Sequence, residues 1–247
     1  MYFSGQGRVY LAPATAGVPG AFRYVGNCPV LNVALETDVL EHKESTSGQR
    51  LTDLRIIRGK SSKFNFTIEE FNKDNLALAC YGAASSISGS TVSAQTFPTV
   101  VVGDYVELTH PDVSSLVITD SAGTPATATL GTHYEITSAK HGTVKILSLG
   151  SFTQPFKAAY SYATRTNINM LTQGFADRWV KFDGLNTVDS NRPVLIDLYK
   201  VNFDPAGQQD WINDDIMKCE LAGGVLYDST KEADTVLGQF GRIQLLS

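Results

Sequence analysis

The stretch KSSKFNFTIEEFNKDNLALACYGA, residues 60–83, passes from a strand pattern to a helix pattern within a few residues. From Phe64 to Ile68 apolar and polar residues alternate, which is the period of a half-buried strand. The second part predicts a short helix, with Asn72 as its N-cap and Gly82 as the left-handed residue that ends it. A helix of about ten residues is not stable alone in water, so it must dock on a sheet.

Four further stretches carry strand patterns. Residues 31–45, 178–184 and 216–228 alternate apolar and polar side chains, and residues 192–204 open almost continuously apolar before they alternate. This period is typical of antiparallel sheets with one face on the core and the other face wet. The predicted fold is therefore mainly β, an antiparallel β-sandwich or distorted barrel with one short flanking α-helix and an inserted small β module.

The inserted module is predicted from a change of texture in the middle of the chain, where charges are few and short strand signals are many. Tyr134 and Ile136 face Val144 and Ile146 across a turn that contains Gly142, which predicts a hairpin. The run SSISGSTVSAQT, residues 85–96, is predicted to be a linker. The expected organisation is a main domain of residues 1–87, with helix 72–81, and residues 165–247, with a C-terminal arm, interrupted by the β module at 88–164.

Composition and charge argue against several classes of function. The chain has 247 residues and a net charge of −5, whereas a nucleic-acid binder needs a basic surface. No run of about eighteen apolar residues predicts a membrane span. The start lacks a basic segment followed by an apolar one, so no secretory signal is expected. The three cysteines form no CxxC pair and are predicted to be reduced core residues of a protein made in a cytosol.

Motifs for catalysis and metal binding are not supported. Residues 58–63 contain a GKS triplet, but Leu54 occupies the place where a phosphate-binding loop requires glycine. The four histidines have no metal-ligand spacing, and the acidic run 210–220 does not place glycine and glutamate at the spacing of a calcium loop. We therefore predict no catalytic residue, no cofactor and no metal, and we expect that the protein is not an enzyme.

Two segments of the chain differ in charge. Residues 43–63 hold six of the twenty basic side chains, and residues 204–234 hold eight of the 25 acidic ones. They are either two solvated loops or the two halves of a head-to-tail interface between identical copies. The polar segment 41–60 is longer than a hairpin turn needs, and the tail 236–247 ends in an apolar run. Both are therefore predicted to contact partners.

Four pieces, taken in order, resemble the major tail (tail tube) proteins of long-tailed bacteriophages. They are the strand GRVYLAPA, the loop EHKESTSGQRLTD, the helix EEFNKDNLALACYG and the closing strands RPVLIDLYKVNFDP and MKCELAGGVLYD. The pieces cover most of the main domain and are patterns of hydrophobicity and turn residues, not catalytic signatures. Residues 88–164 lie outside that shared core and resemble add-on β modules of phage particle proteins.

The resemblance implies a structural virion protein that assembles itself into stacked hexameric rings. Neighbouring subunits would join their sheets edge to edge around a hollow tube, through which DNA is ejected into the host without specific binding. The implied partners are further copies of the chain and other phage tail proteins, such as tape measure, tail terminator and tail-tip proteins, with no membrane. The implied location is the virion tail after assembly in the host bacterial cytoplasm, with the inserted module on the outside of the tube.

Two sets of site residues follow from this resemblance. Contacts between subunits or rings are predicted for His42, Lys43, Gln49, Arg50, Arg55, Arg58, Asp214, Asp215, Phe240, Arg242 and Leu245. A channel-lining position is predicted for Glu36, Asp38, Asn65, Thr67 and Glu69. Carboxylates and neutral polar groups there would repel the phosphates of passing DNA, and Lys63, which shares their alternation, is an exception.

Two alternatives stay open. A β-sandwich binding module, such as a phage decoration protein or a glycan-binding adhesin, would need exposed aromatic platforms, for which Tyr160 and Tyr162 are candidates. An enzyme on a β scaffold would need an acid–base pair or a nucleophile, and no motif indicates one.

Overall fold

The computed structural model describes residues 2–231 and 236–246 of the chain. Within them the fold is mainly β, with antiparallel sheets and a single short α-helix, and this confirms the predicted class. In chain order the elements are β1 (Gly5–Thr15), β2 (Val18–Pro19), β3 (Arg23–Tyr24), β4 (Val30–Lys43), β5 (Thr52–Ile68), α1 (Lys73–Ala79), β6 (Ala84–Ile87), β7 (Ser90–Thr96), β8 (Tyr105–Glu107), β9 (Val113–Thr119), β10 (Tyr134–Ser138), β11 (Thr143–Ile146), β12 (Lys157–Tyr162), β13 (Arg165–Ile168), β14 (Arg178–Asn186), β15 (Arg192–Phe203), β16 (Cys219–Val225), a 3-10 turn (Ser229–Lys231) and β17 (Gly241–Leu245).

The chain divides into two compact units. The first comprises Met1–Ala84 with Ile168–Ser247, and the second comprises Ser85–Asn167. The prediction of a linker over residues 85–96 is wrong, because most of this run lies in β6 and β7. Its threonine and valine residues suit strands, and β12 offers a pairing partner that the local sequence does not show.

The first unit is built on a nine-stranded sheet. The strands follow the order β2-β1-β14-β15-β16-β5-β4, while β3 pairs with β1 and β17 pairs with β15. One side of β15 is shared between two partners, because its residues 194–198 pair with β17 and its residues 201–203 pair with β16. The path ends at β4, so this strand of 14 residues forms an edge of the sheet.

The core of the first unit lies inside a curled sheet. Side chains of β1 and β5 belong to the same apolar cluster although three strands separate them, and no closed barrel forms in the described part of the chain. Phe64 and Phe66 of β5 meet Phe203 of β15, with ring centroids 5.5 and 5.4 Å apart. Leu221 and Val201 are completely buried beside them.

The helix begins as the sequence predicts. The Asn72 side chain accepts hydrogen bonds from the backbone N–H groups of Asp74 and Asn75, at 3.1 and 3.0 Å. Asn75 and Ala79 are buried, and Ala79 belongs to the core of the sheet. The seven-residue helix is therefore held by docking, as its length requires.

The end of the helix differs from the prediction. Tyr81, not Gly82, has the left-handed backbone, with φ +50°. The Gly82 N–H donates to the Ala77 carbonyl at 2.8 Å and the Tyr81 N–H to the Leu78 carbonyl at 3.4 Å, which is a Schellman ending. Gly82 is needed for another reason, because a Cβ there would overlap the backbone carbonyl of Asn169.

Tertiary contacts explain why a tyrosine adopts the left-handed conformation. The Tyr81 hydroxyl donates to the backbone carbonyl of Phe203, and its ring lies edge-on to Phe175, with centroids 5.6 Å apart. These contacts offset the cost of the left-handed backbone, about 1–2 kcal/mol for a residue with a Cβ.

The long polar loop predicted within residues 41–60 is also wrong. β4 continues to Lys43 and β5 begins at Thr52, so only residues 44–51 form the turn of a long hairpin. The Glu44 carboxylate organises this turn by accepting hydrogen bonds from the backbone N–H groups of Thr46 and Ser47, at 2.7 and 2.9 Å. Hydrogen bonds from Ser47 and then Thr46 lower the pKa of Glu44 to about 2.

The second unit has its own apolar core between two three-stranded sheets, with the orders β7-β12-β9 and β10-β11-β8. The hairpin around Gly142 is confirmed, since Tyr134 pairs with Ile146 and Gly142 has φ +72°. Asp120 is buried and accepts hydrogen bonds from the backbone N–H groups of Ala126 and Thr153 at 2.7 and 3.1 Å. These bonds lower the pKa of Asp120 and join two loops of the unit.

Candidate functional site

The most unusual surface of the first unit is the β4–β5 hairpin. From Asn32 to Ser61 no residue is buried, although both strands are paired along this length. The hairpin nevertheless carries seven exposed large apolar side chains: Val33, Leu35, Leu40, Leu51, Leu54, Ile56 and Ile57. Contiguous apolar surface of this kind marks a site that a partner covers.

The outer side of β4 adds a second reason for association. This strand is the edge of the sheet, contains no proline and pairs only with β5 among the described strands. An unpaired edge presents backbone N–H and C=O groups that can pair with another chain. A bulge between Asp38 and Val39 is the one irregularity along most of its length, before a second shift at His42 and Lys43.

Arg58, predicted to contact other subunits, and Lys63 are paired with carboxylates within the hairpin. Arg58 Nη2 lies 3.1 Å from Asp38 Oδ1, and Lys63 Nζ lies 2.9 Å from Glu36 Oε1. These pairs are exposed, so each contributes about 0–1 kcal/mol to folding. Their main effect is on charge, because each cation already has a carboxylate partner within its own subunit.

Two other pairs join the strands, one with its carboxylate on β4 and one with its carboxylate on β5. Arg55 Nε lies 3.6 Å from Glu41 Oε1, and His42 Nδ1 lies 2.6 Å from Asp53 Oδ1. The electrostatic contact predicted between the basic segment 43–63 of one copy and the acidic segment of another stays a prediction, and these pairs compete with it. The antiparallel register places carboxylates of β4 next to cations of β5, and a linear reading of charge does not show this.

Three predicted contact residues lie at or near the tip of the hairpin. Lys43 ends β4, and Gln49 and Arg50 belong to the turn, where all three are exposed. The Gln49 N–H donates to Ser47 Oγ at 3.2 Å. No described residue covers this tip, so a neighbouring molecule could contact it.

The predicted channel-lining residues are only partly at the surface. Glu36, Asp38 and Asn65 are exposed, and Glu69 is half-buried, where it accepts a hydrogen bond from the Asn27 side chain. Thr67 is buried, and its assignment to a channel surface is wrong. It follows Phe66 at the base of the hairpin, where the strand enters the sheet and both of its faces become covered.

Lys63 is no longer an exception to the channel-lining set, because it pairs with Glu36. The surface formed by these strands therefore alternates in charge and is not purely acidic. A concave region beside it is lined by Asn32, Ala34 and the small residues 222–224 of β16.

The predicted C-terminal contact residues also behave differently. β17 pairs with β15, Phe240 packs against the core, and Arg242 Nε lies 2.9 Å from Asp197 Oδ2. Asp197 is buried and also accepts a hydrogen bond from the Trp179 indole at 3.3 Å. Phe240 and Arg242 thus stabilise their own subunit, whereas Leu245 is exposed. The apolar tail is a strand because β15 has a free edge beyond β16.

Asp214 and Asp215 lie in the loop between β15 and β16 and are exposed. The same loop exposes Trp211, Ile212 and Ile216, with Ile212 98% exposed. Sequence reasoning missed these apolar residues and Leu35. The exposure of Leu35 has a signal in the sequence. Its partner across the hairpin is Ser62, and the polar run SSK, residues 61–63, offers it no apolar surface.

Some features of the molecule bear on the alternative functions. Tyr160 is buried and donates to Gln95 Oε1 at 2.7 Å, and Tyr162 stacks on His110 at 3.9 Å, so both rings are engaged within the second unit. Burial, followed by Glu69 and Glu70, raises the pKa of Cys28 to about 12. This thiol is therefore protonated at neutral pH.

α1 has seven residues, and no helix among the described residues approaches the length of about 20 that spans a bilayer. Across residues 2–231 and 236–246, no three His, Cys, Asp or Glu side chains are grouped to hold a metal ion.

The fold and this surface define a mainly β protein with an open sheet and an edge hairpin that the described residues leave uncovered. Residues 2–244 match the family described as "Protein of unknown function UCP028589", and the chain belongs to this family. No curated protein matches the chain.

Proposed function

We propose that this protein is the structural subunit of a bacteriophage tail tube. Copies join their sheets edge to edge into hexameric rings, the rings stack, and DNA passes through the hollow tube on its way into the host. The observation that carries this proposal is the β4–β5 hairpin, which is exposed along both faces and along its outer edge.

The energetics of the hairpin support a covered state. An isolated two-stranded hairpin is marginally stable at best in water. Full burial of a Val, Leu or Ile side chain contributes about 1.5–3 kcal/mol, and this hairpin leaves seven large apolar side chains exposed. Contact with neighbouring copies would recover this free energy and pair the free edge of β4. Obligate assemblies of this kind bury about 2,000 Å² or more per interface.

The charge pattern of the hairpin is consistent with a channel that does not hold DNA. Proteins bind DNA when uncompensated Lys and Arg side chains displace counterions from the phosphates. On the predicted channel surface Lys63 is compensated by Glu36, and Arg58 by Asp38. These pairs would leave the channel wall with little local net charge, and the phosphates of passing DNA would find no binding site on it.

The wider assignment follows from the same proposal. The partners are further copies of the chain and other proteins of the phage tail, and the location is the virion tail. We propose no catalytic role for any residue.

The experiment that tests the proposal is sedimentation velocity and negative-stain electron microscopy of the purified protein over a range of concentrations. We expect rings and stacked tubes as the concentration rises. A matched variant replaces residues 38–59 by Asn-Gly, which joins Thr37 to Lys60, its partner across the hairpin. Since none of the removed residues is buried, this variant should fold and remain a monomer. A wild-type protein that stays monomeric at millimolar concentration would overturn the proposal.

A further inference from the structure

A cleft of about 610 Å³ lies in the first unit, between β1, α1 and the segment before β14. Its apolar walls come from Leu11, Pro13, Ala77, Leu78, Tyr81 and Phe203. Two guanidinium groups, Arg23 and Arg178, also line it. Apolar walls with a few convergent polar groups are typical of binding sites.

Arg23 is held in place before any ligand binds. Its Nη1 donates to Asn75 Oδ1 at 2.7 Å, and the Asn75 amide in turn donates to the backbone carbonyls of Val25 and Glu70, both at 2.8 Å. Burial lowers the pKa of Arg23, Asp74 raises it, and Arg178 lowers it. The two guanidinium groups are therefore close enough to repel each other.

Asp74 also lines the cleft and offsets part of the positive charge of Arg23, but it forms no ion pair with either arginine. Among the described residues, no carboxylate lies within 4.0 Å of either Arg23 or Arg178. Asp177, next to Arg178 in the chain, is occupied by Lys200 at 3.3 Å and by the Asn202 side chain at 2.9 Å. The cleft thus suits an anionic ligand that also carries apolar groups.

A segment with this chemistry lies elsewhere on the same subunit. The loop 207–216, GQQDWINDDI, exposes Trp211 and Ile212 to 65% and 98%. Its Asp214 is exposed and has no hydrogen bond or ion pair among the described residues. Trp211 lies edge-on to Phe71, with ring centroids 6.3 Å apart, but it stays mostly exposed. The exposed acidic and apolar side chains of the loop thus complement the cleft in both respects.

The loop and the cleft occupy different sides of α1. The Ala206 N–H, just before the loop, donates to the Ala79 carbonyl at 2.9 Å. Within the loop, the Gln209 side-chain amide donates to Cys80 Sγ at 3.4 Å. The cleft is lined by Asp74, Ala77, Leu78 and Tyr81 of the same helix region. Complementary patches on different sides of one subunit favour head-to-tail contact between copies, which closes into a ring or extends as a filament.

We propose that the 207–216 loop of one copy docks in the Arg23–Arg178 cleft of the next copy. Asp214 would pair with the arginines, and Trp211 and Ile212 would cover the apolar walls. This inference rests on the proposed function, since it names a contact within the assembled tube. It also gives the acidic segment a basic partner that differs from the internally paired hairpin.

The docking is tested first without assembly. A fluorescent peptide of residues 207–218 is titrated with the hairpin-shortened monomer described above, and its anisotropy is followed. We expect saturable binding that Arg178→Glu weakens by about tenfold or more, because one of the two cationic partners becomes a carboxylate. The matched control is Lys73→Glu, an equal charge change on an exposed, unpaired residue of α1 outside the cleft, and it should leave the affinity unchanged.

Assembly of the full-length chain provides the second readout. Arg178→Glu and Asp214→Arg should each suppress tubes, and the two together should restore them, whereas a merely misfolded variant would not be rescued. If wild-type tubes form and Arg178→Glu changes neither peptide binding nor assembly, the docking is refuted while the proposed function stands. If the peptide binds in an Arg178-dependent way but the wild type never assembles, the tube is refuted and the cleft remains supported as a site for this loop.

Discussion

Leu35 offers the sharpest test of the hairpin as an assembly surface. Its side chain is 82% exposed and lies opposite Ser62, so it contributes little to the core of its own subunit. Burying the exposed part against a neighbour would contribute roughly 0.82 of the 1.5–3 kcal/mol for a whole side chain, or about 1.2–2.5 kcal/mol. Leu35→Ser should therefore raise the critical concentration for assembly by roughly 8- to 70-fold. The free energy of unfolding of the monomer should change by no more than about 0.5 kcal/mol.

The critical concentration is measured by pelleting of assembled material over a dilution series, and monomer stability by urea unfolding below that concentration. Leu130→Ser is the matched control, because Leu130 is 56% exposed but belongs to the second unit and not to the hairpin. It should leave the critical concentration unchanged. A Leu35→Ser protein that assembles at the wild-type concentration would refute the reasoning, as would a loss of monomer stability large enough to explain the defect.

Three further predictions concern stability and ionisation. Gly82→Ala should lower the free energy of unfolding by about 1–3 kcal/mol in urea, because its Cβ would overlap the Asn169 carbonyl, whereas Gly207→Ala meets no atom within 4 Å and should be neutral. The Glu44 carboxyl should titrate near pH 2 by NMR, so that its turn survives until the pH falls through that value; titration near 4.5 would contradict the observed hydrogen bonds. Cys28 should react with a thiol reagent at pH 8 only after unfolding, and rapid labelling of the folded protein would show that its pKa is not raised.

Local patterns predicted the elements that local forces specify. Alternation from Phe64 to Ile68 predicted a strand with one buried face, and Asn72 predicted the start of the helix, because an N-cap bonds to backbone groups only two or three residues away. The end of the helix was not predictable in the same way. Glycine is the usual left-handed residue, but contacts of Tyr81 with Phe175 and Phe203 shift that conformation to the tyrosine.

The candidate site depended more heavily on strand register. The sequence showed six basic side chains between residues 43 and 63, and it could not show which carboxylate each of them would meet. Pairing of β4 with β5 set those distances and gave three of the six, Arg55, Arg58 and Lys63, a carboxylate partner within 4.0 Å. The Arg23–Arg178 cleft was invisible in the sequence for the same reason, since about 150 residues separate its two cations.

The sequence by itself determined the β character of the chain, the place of its helix and the absence of recognisable catalytic motifs, because period-two alternation, capping and motif spacing are local properties. Only the tertiary structure decided that the segment around residues 41–57 is a hairpin, that Thr67 and Arg242 serve their own subunit, and that β4 is an edge. These outcomes depend on which strands pair across long stretches of the sequence. Contacts throughout the sheet contribute to the free energy that favours this pairing, so no local pattern shows it.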